Sequence, residues 1–256
     1  MSKIGLQLFS VWRDAEKDFL GTIQKAAELG YEAVQFAGFY DTPANKLQSV
    51  LKENGLYAAG AHVGIEKLLD DELKRTFEYN SAIDNNLLVC PALPKEMRQT
   101  AEDYKKTAEI LNQIGETCKE AGFTFGYHNH AFEFEQFGSE TGFDLLFGLT
   151  DPDLVKMELD CYWAAFADQD PLEIIQKYKN RVVSLHIKDM KIVNGTKTGI
   201  EVGRGQLDFA SLIKLGDKVG VEWFTVEQEE FERDPYQSLS INADTLKQLM
   251  SEAGVR

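Results

Sequence analysis

The four histidines of the chain, His62, His128, His130 and His186, each stand at or just past the end of a short apolar run. Two of them belong to Gly126-Tyr127-His128-Asn129-His130-Ala131-Phe132-Glu133-Phe134, where a strand puts His128 and His130 on the same face. A single histidine in such a place is as readily a hydrogen-bonded core residue as a ligand. Carboxylates change the balance. Asp160 follows Lys156-Met157-Glu158-Leu159, and with Met157 and Leu159 facing outward it projects inward. Glu227 follows Trp223-Phe224-Thr225-Val226 and faces inward by the same alternation. Imidazoles and carboxylates together suit one borderline divalent ion, Mn, Zn, Co or Fe with Mg as a further candidate, rather than Ca. The expected ligands are His128, Asp160, His186 and Glu227. The competing reading is a set of buried ion pairs, for which Lys156 and Lys188 are the available cations, too few to neutralise the group.

Residues around these add to the chemistry. In His186-Ile187-Lys188-Asp189, Asp189 lies beyond the strand end, where it could orient an imidazole, touch the ion or cap the loop. Lys188 shares the face of His186 and could polarise a substrate carbonyl or hydroxyl, or else lie solvated. Tyr162 and Trp163, directly after Asp160, could wall a sugar-like ring or simply pack in the core.

Such groups need a scaffold that gathers strand ends. Hydrophobic periodicity predicts strands over 3–9, 33–36, 57–63, 86–90, 123–127, 154–159, 181–187 and 223–226. Helices are predicted over 16–29, 45–52, 66–79, 100–120, 143–147, 171–178, 209–218 and 240–252. Eight strand-then-helix units with no Pro/Gly/Ser-rich linker predict the α/β class and a single (β/α)8 TIM barrel over residues 1–256, without an internal boundary. A barrel places its chemistry at the carboxyl ends of its strands. His62 then ends the third strand, His128 and His130 the fifth and His186 the seventh; if roughly a sixth of the chain counts as strand ends, chance puts all four there about once in a thousand. A doubly wound sheet would carry a glycine fingerprint in its first unit, whereas Gly203-Arg204-Gly205 lacks the third glycine and lies near the end. That pair reads as a turn bringing the loop after the seventh strand close to the site.

Composition narrows the partners. The 256 residues carry a net charge of -15, with 43% hydrophobic and 27% charged residues. Such a charge, without a basic stripe, argues against nucleic acid as a partner, and no apolar run reaches the ~18 residues that span a membrane. With no secretory signal after Met1-Ser2-Lys3, a cytoplasmic location is expected. Cys90, Cys118 and Cys161, odd in number and far apart, fit reduced thiols. A small sugar-like molecule is the expected partner; association into a homo-oligomer is open.

Gly5-Leu6-Gln7-Leu8-Phe9-Ser10, Tyr127-His128-Asn129-His130 with Phe132-Glu133-Phe134, Leu159-Asp160-Cys161-Tyr162-Trp163, His186-Ile187-Lys188-Asp189 and Val226-Glu227-Gln228 together resemble the xylose isomerase-like barrel family of sugar isomerases and epimerases. The likeness spans nearly the whole chain. It implies a divalent metal at the barrel mouth, a sugar, keto-sugar or cyclitol substrate, and proton abstraction beside a carbonyl through an enediolate. Asp160, His186 and Glu227 match the family's ligands on strands six to eight, while His128 stands where many epimerases of the family have a glutamate. For such chemistry Glu227, His130, Glu133 and Lys188 are the expected catalytic groups and His62, Trp163, Asp189 and Gln7 the expected substrate-binding ones. Isomerisation or epimerisation is the leading activity. Dehydration or lysis of an inosose or 3-keto-glycoside, and a non-catalytic sugar-binding module, are the alternatives.

Overall fold

Eight short runs, most of them largely buried, form strands, and each is followed by a helix. In the computed structural model, which describes residues 2–255, the strands are β1 (Lys3–Gln7), β2 (Ala33–Phe36), β3 (Tyr57–His62), β4 (Leu87–Cys90), β5 (Thr124–His128), β6 (Lys156–Asp160), β7 (Val182–Ile187) and β8 (Trp223–Val226). They pair in parallel and close a barrel in chain order, β8 returning to β1. The covering helices are α1 (Phe19–Glu28), α2 (Ala44–Glu53), α3 (Asp70–Ala82), α4 (Ala101–Glu120), α5 (Gly142–Leu149), α6 (Pro171–Lys177), α7 (Phe209–Val219) and α8 (Pro235–Glu252). The fold is a TIM barrel of the α/β class.

Capping explains most shifts from the expected boundaries. The Asp18 side chain accepts from Gly21 N and starts α1 at Phe19 rather than at residue 16. Asp234 caps α8 at Pro235, ahead of the predicted residue 240. After Gln7 the chain turns into a 3-10 segment, Leu8–Val11, so β1 stops short of residue 9. Two antiparallel hairpins were not expected. Asp189–Val193 pairs with Thr196–Ile200 across Asn194-Gly195, whose φ values of 52° and 80° suit a tight hairpin turn, and Gln136–Phe137 pairs with Glu140–Thr141.

The core has two parts. The larger lies between strands and helices and includes Leu6, Val34, Phe125, Leu159, Leu185 and Phe224. A smaller cluster of Ala33, Ala59, Leu87, Val89 and Trp223 plugs the lower barrel interior. Gln35 lies two residues beyond Ala33 and Thr225 two beyond Trp223, so the same inward faces turn polar toward the carboxyl ends. Gln7, Gln35, Glu158 and Thr225 form this upper layer and are all buried.

The loop after β7 departs from its expected role. Asp189 is buried, and its carboxylate accepts from four backbone amides: Met190 N (2.8 Å) and Leu207 N (3.1 Å) on Oδ1, Gly203 N (3.0 Å) and Gly205 N (2.7 Å) on Oδ2. Both oxygens are engaged, so Asp189 caps the loop instead of binding substrate. A Cβ on Gly205 would lie 2.3 Å from Asp189 Oδ1 and 2.4 Å from Met190 O, which accounts for glycine there. Gly205→Ala is therefore expected to lower stability by about 1–3 kcal/mol, the range for overpacking, as read by denaturant unfolding.

Candidate functional site

Strand register decides which side chains share a level. Asp160 pairs with His186, and His186 with Thr225, so β6, β7 and β8 deliver Asp160, His186 and Glu227 to one end of the barrel. His128 pairs with Glu158, not Asp160, and so enters one inward step deeper than Asp160 and His186. The structure brings His128, Asp160, His186 and Glu227 together: one nitrogen or oxygen of each lies within 4.8 Å of all the others, and all four are buried. Asp160 Oδ2 stands 3.9 Å from His128 Nε2 and 4.0 Å from His186 Nδ1, while Glu227 Oε2 stands 3.0 Å from His186 Nδ1.

Whether this group suits an ion turns on Asp160. Its Oδ1 accepts from Trp163 N at 2.7 Å, capping the short helix Cys161–Phe166. Its Oδ2 is buried and has no hydrogen-bond partner, an arrangement that costs several kcal/mol unless something positive meets it. Burial, with the charge of Glu227 adding to it, lifts the Asp160 carboxyl to about 7. Burial, with His186 beside it, pushes the His128 imidazole down to about 3, so that ring is neutral and has a lone pair to give. Two imidazoles, two carboxylates and an orphaned oxygen fit a divalent cation.

Beneath the quartet lies a second group that the sequence reading missed. Glu158 is buried on β6, two residues before Asp160. Its Oε1 faces His62 Nε2 at 2.6 Å, His186 Nε2 at 3.0 Å and His128 Nδ1 at 3.2 Å, and its Oε2 accepts from Gln35 Nε2 at 2.5 Å. Burial alone would raise this carboxyl, but the surrounding imidazoles, His186 foremost, hold it well below the usual range. The alternation that points Asp160 inward also points Glu158 inward, and that was the available signal. Gln35 had none, because an isolated glutamine in an apolar strand reads as an edge or a turn neighbour.

A cavity of about 800 Å³ opens above both groups and is lined by His62, His128, His130 and Glu227. His130 lies flat on Phe132, with centroids 5.3 Å apart and planes 8° apart, and 5.7 Å from the Trp163 ring. Its Nδ1 is buried without a partner. Lys188 is buried, paired with Glu229 and placed over the rings of Tyr162 (4.1 Å) and Trp163 (5.1 Å). The solvated alternative for Lys188 is thus removed.

Two expected site residues are elsewhere. Gln7 is buried under the site, donating to Gln35 Oε1 at 2.7 Å and accepting from Phe9 N at 3.1 Å, so it contacts no substrate. Glu133 turns away from the mouth: fully buried, it accepts from Tyr127 OH at 2.6 Å and from His130 N at 2.8 Å. Tyr127 is an outward residue of β5, so Glu133 braces the loop against the outer barrel wall and is not placed to return a proton. Burial raises its carboxyl to about 7. Glu133→Gln keeps one acceptor for two donors and is expected to destabilise the fold by about 1–3 kcal/mol. Turnover per folded molecule should stay within a few-fold of wild type; a hundredfold loss in steady-state rate at unchanged melting temperature would return Glu133 to the chemistry.

Residues 23–251 match the xylose isomerase-like TIM barrel family. The chain is 27% identical over 217 residues to an inosose dehydratase of Geobacillus kaustophilus, covering 76% of this chain and 68% of that one. It is 32% identical over 149 residues to an inosose dehydratase of Clostridium perfringens, covering 52% and 49%, so that match spans about half the relative's length. A solved structure from Parabacteroides distasonis, described as a sugar phosphate isomerase/epimerase, superposes with a TM-score of 0.80 at 27% identity, over 96% of this chain and 94% of that one. Among the described residues, no helix is long and apolar enough to cross a membrane. This chain belongs to the xylose isomerase-like TIM barrel family.

Proposed function

We propose that this chain is a divalent-metal-dependent enzyme that removes a proton from the carbon beside a carbonyl of a sugar, keto-sugar or cyclitol, with isomerisation or epimerisation as the outcome. The observation that carries this reading is the orphaned, buried Asp160 Oδ2 at the centre of His128, His186 and Glu227, directly under a cavity large enough for such a substrate. These four residues would hold the ion. When bound, a divalent ion supplies the Lewis acidity that stabilises the oxyanion formed on proton loss.

The remaining roles belong to side chains that line the cavity or stand behind its wall. Glu227 lines it and is ionised, since His186 holds its carboxyl down to about 2 against the opposite pull of burial, so it can accept a proton. His130 is the second proton carrier at the mouth, with a buried Nδ1 that has no protein partner. His62 reaches the cavity while its Nε2 is tied to Glu158, which suits it to orient a substrate hydroxyl. Trp163, beside His130, offers a ring face. Lys188 sets the positive charge beside Asp160 and Tyr162.

Dehydration is the second reading, and the relatives named inosose dehydratases favour it. So does the composition of the mouth. The fifth-strand position holds His128 and Glu133 points outward, so Glu227 has no second cavity carboxylate from β5 to work with as an acid/base pair. Burial pushes the His130 imidazole down to about 4, so it meets the substrate as a neutral ring that takes up a proton rather than as one that supplies it.

Incubating the purified, metal-loaded protein with inososes and keto-sugars in deuterated water tests the shared first step. Deuterium at the carbon beside the carbonyl is expected, and its site together with the product separates isomer, epimer and dehydrated compound. Ligand-induced stabilisation without exchange would mean a binding module instead. Asp160→Ala and Glu227→Ala should each lower bound metal at least tenfold by elemental analysis; unchanged content in both would remove the site. Because Asp160 ionises at about 7 in the metal-free protein, a proton competes with the ion. Against the pull of burial, the carboxylates beside His186 also hold a proton on its ring well above the usual imidazole range, so metal affinity is expected to fall by at least about tenfold per pH unit below 7 and to keep rising above it, as read by competition with a coloured chelator.

A further inference from the structure

An imidazole nitrogen binds an ion only after giving up its hydrogen, so a nitrogen whose hydrogen is held in a hydrogen bond away from the site is the one that stays off the ion. At His128 and His186 that choice can be read from a hydrogen-bond chain that starts at a group with no choice. A backbone N–H can only donate, and Phe9 N donates to Gln7 Oε1 at 3.1 Å. Gln7 therefore turns its amide nitrogen to Gln35 Oε1, at 2.7 Å. Gln35 Oε1 is thereby an acceptor, and it lies 2.7 Å from His186 Nε2. That nitrogen carries a hydrogen, and Nδ1 is the one turned to Glu227 and Asp160; without an ion Nδ1 donates to the Glu227 carboxylate at 3.0 Å, and that hydrogen is the one an ion would displace.

The other half of Gln35 continues the chain. Its Nε2 donates to Glu158 Oε2 at 2.5 Å, leaving Oε1 to the three imidazoles. Three imidazole nitrogens converge on that one oxygen, at 2.6, 3.0 and 3.2 Å, an arrangement in which the oxygen accepts; His128 Nδ1, 3.2 Å away, thus carries hydrogen and His128 Nε2 faces Asp160 Oδ2. His62 Nε2 donates to the same oxygen at 2.6 Å. His62, His128, Glu158 and His186 also have the composition and spacing of a second metal group. Yet the nitrogens that would have to bind there are the ones the chain requires to bear hydrogen.

We propose that Gln7, Gln35 and Glu158 form a positioning chain that dictates which nitrogens of His128 and His186 face the upper quartet, making the lower histidine group a hydrogen-bonded support rather than a second ion site. The proposal rests on the metal reading of the quartet given above. None of the three positioning residues belongs to the quartet itself, and each acts through the imidazoles it orients.

The test uses full-length protein with 15N-labelled histidine, metal-free and zinc-loaded, in wild type, Glu158→Gln and Gln35→Met. The Glu158→Gln change keeps size but offers one acceptor oxygen, and its amide group meets the donors of Gln35 or the imidazoles. Gln35→Met leaves the Glu158 charge and breaks the chain above it. Wild type is expected to bind one zinc per chain, with hydrogen on His186 Nε2 and His128 Nδ1 in the nitrogen-proton spectrum of both forms and a further hydrogen on His186 Nδ1 only in the metal-free form. Each variant should lose at least tenfold in zinc affinity and the fixed assignment of nitrogens, while circular dichroism reports an intact fold. A merely structural role would lower the melting temperature without moving the hydrogen between nitrogens. Variants with unchanged affinity and unchanged nitrogen assignment overturn the proposal, as does a second zinc bound through His62 in wild type. If Gln35→Met does not fold, Glu158→Gln decides alone. A wild type that binds no divalent ion refutes the metal reading separately, and the metal-free spectra still decide whether the chain fixes the rings.

Discussion

A carboxylate with no exposure to water keeps its charge only if donors replace the water it has lost, and Glu158 is such a carboxylate. Its donors come from β2 (Gln35), β3 (His62), β5 (His128) and β7 (His186), while Glu158 itself is on β6. No pair of adjacent strands could assemble them. The network exists only when the barrel is closed, so forming the fold and orienting the imidazoles are one event. A barrel left open between β2 and its neighbours would strand this charge in an apolar interior, which favours the closed form over partly open ones.

Above that layer, backbone groups fix what side chains cannot choose for themselves. Trp163 N holds Asp160 Oδ1, and Asn129 bridges the Asp160 backbone, accepting from its N–H at 3.0 Å and donating to its carbonyl at 3.3 Å. The Asp160 oxygen that points at the quartet is thus free because the other is held. The loop after β7 follows the same rule with Asp189, whose two oxygens collect four amides. One carboxylate is half-satisfied and faces the cavity; the other is fully satisfied and shapes a loop. Position alone does not separate them, since both lie at strand ends.

That contrast marks how far the sequence could be read. Strand and helix identities followed from periodicity, and the quartet followed from placing histidines and carboxylates at strand ends, because a period of two leaves one answer for which face a strand residue takes. The same rule applied to the residue two before Asp160 would have given Glu158. Loop residues obey no such period. Glu133 and Asp189 have the composition of catalytic groups, but a loop can turn either way, and here Tyr127 OH and a ring of amides draw them out of the cavity. The hairpin at Asn194-Gly195 carries a strong turn signal flanked by alternating residues. It went unread because strand-then-helix units leave no slot for a hairpin, and only its docking, with Gly199 N donating to Glu230 at 2.8 Å, shows what it is for.

The histidine on β5 also bears on what the quartet can hold. Asp160 and Glu227 bring two negative charges and the two imidazoles none, so a divalent ion would leave the four ligands and the ion neutral together. A glutamate at the His128 position would leave an uncompensated negative charge in a place with almost no water, where desolvation outweighs most pairwise attraction. The neighbouring position is already taken by Glu158, which stands level with His128 across the β5–β6 pair. A second carboxylate at that level would face the first at hydrogen-bonding range with no donor between them, and one of the two would have to hold a proton. An imidazole avoids this by accepting toward the ion and donating toward Glu158, so the presence of Glu158 and the use of histidine on β5 are two sides of one electrostatic arrangement. Nitrogen in place of oxygen also moves the preference of the site from Mg toward Mn, Fe, Co and Zn.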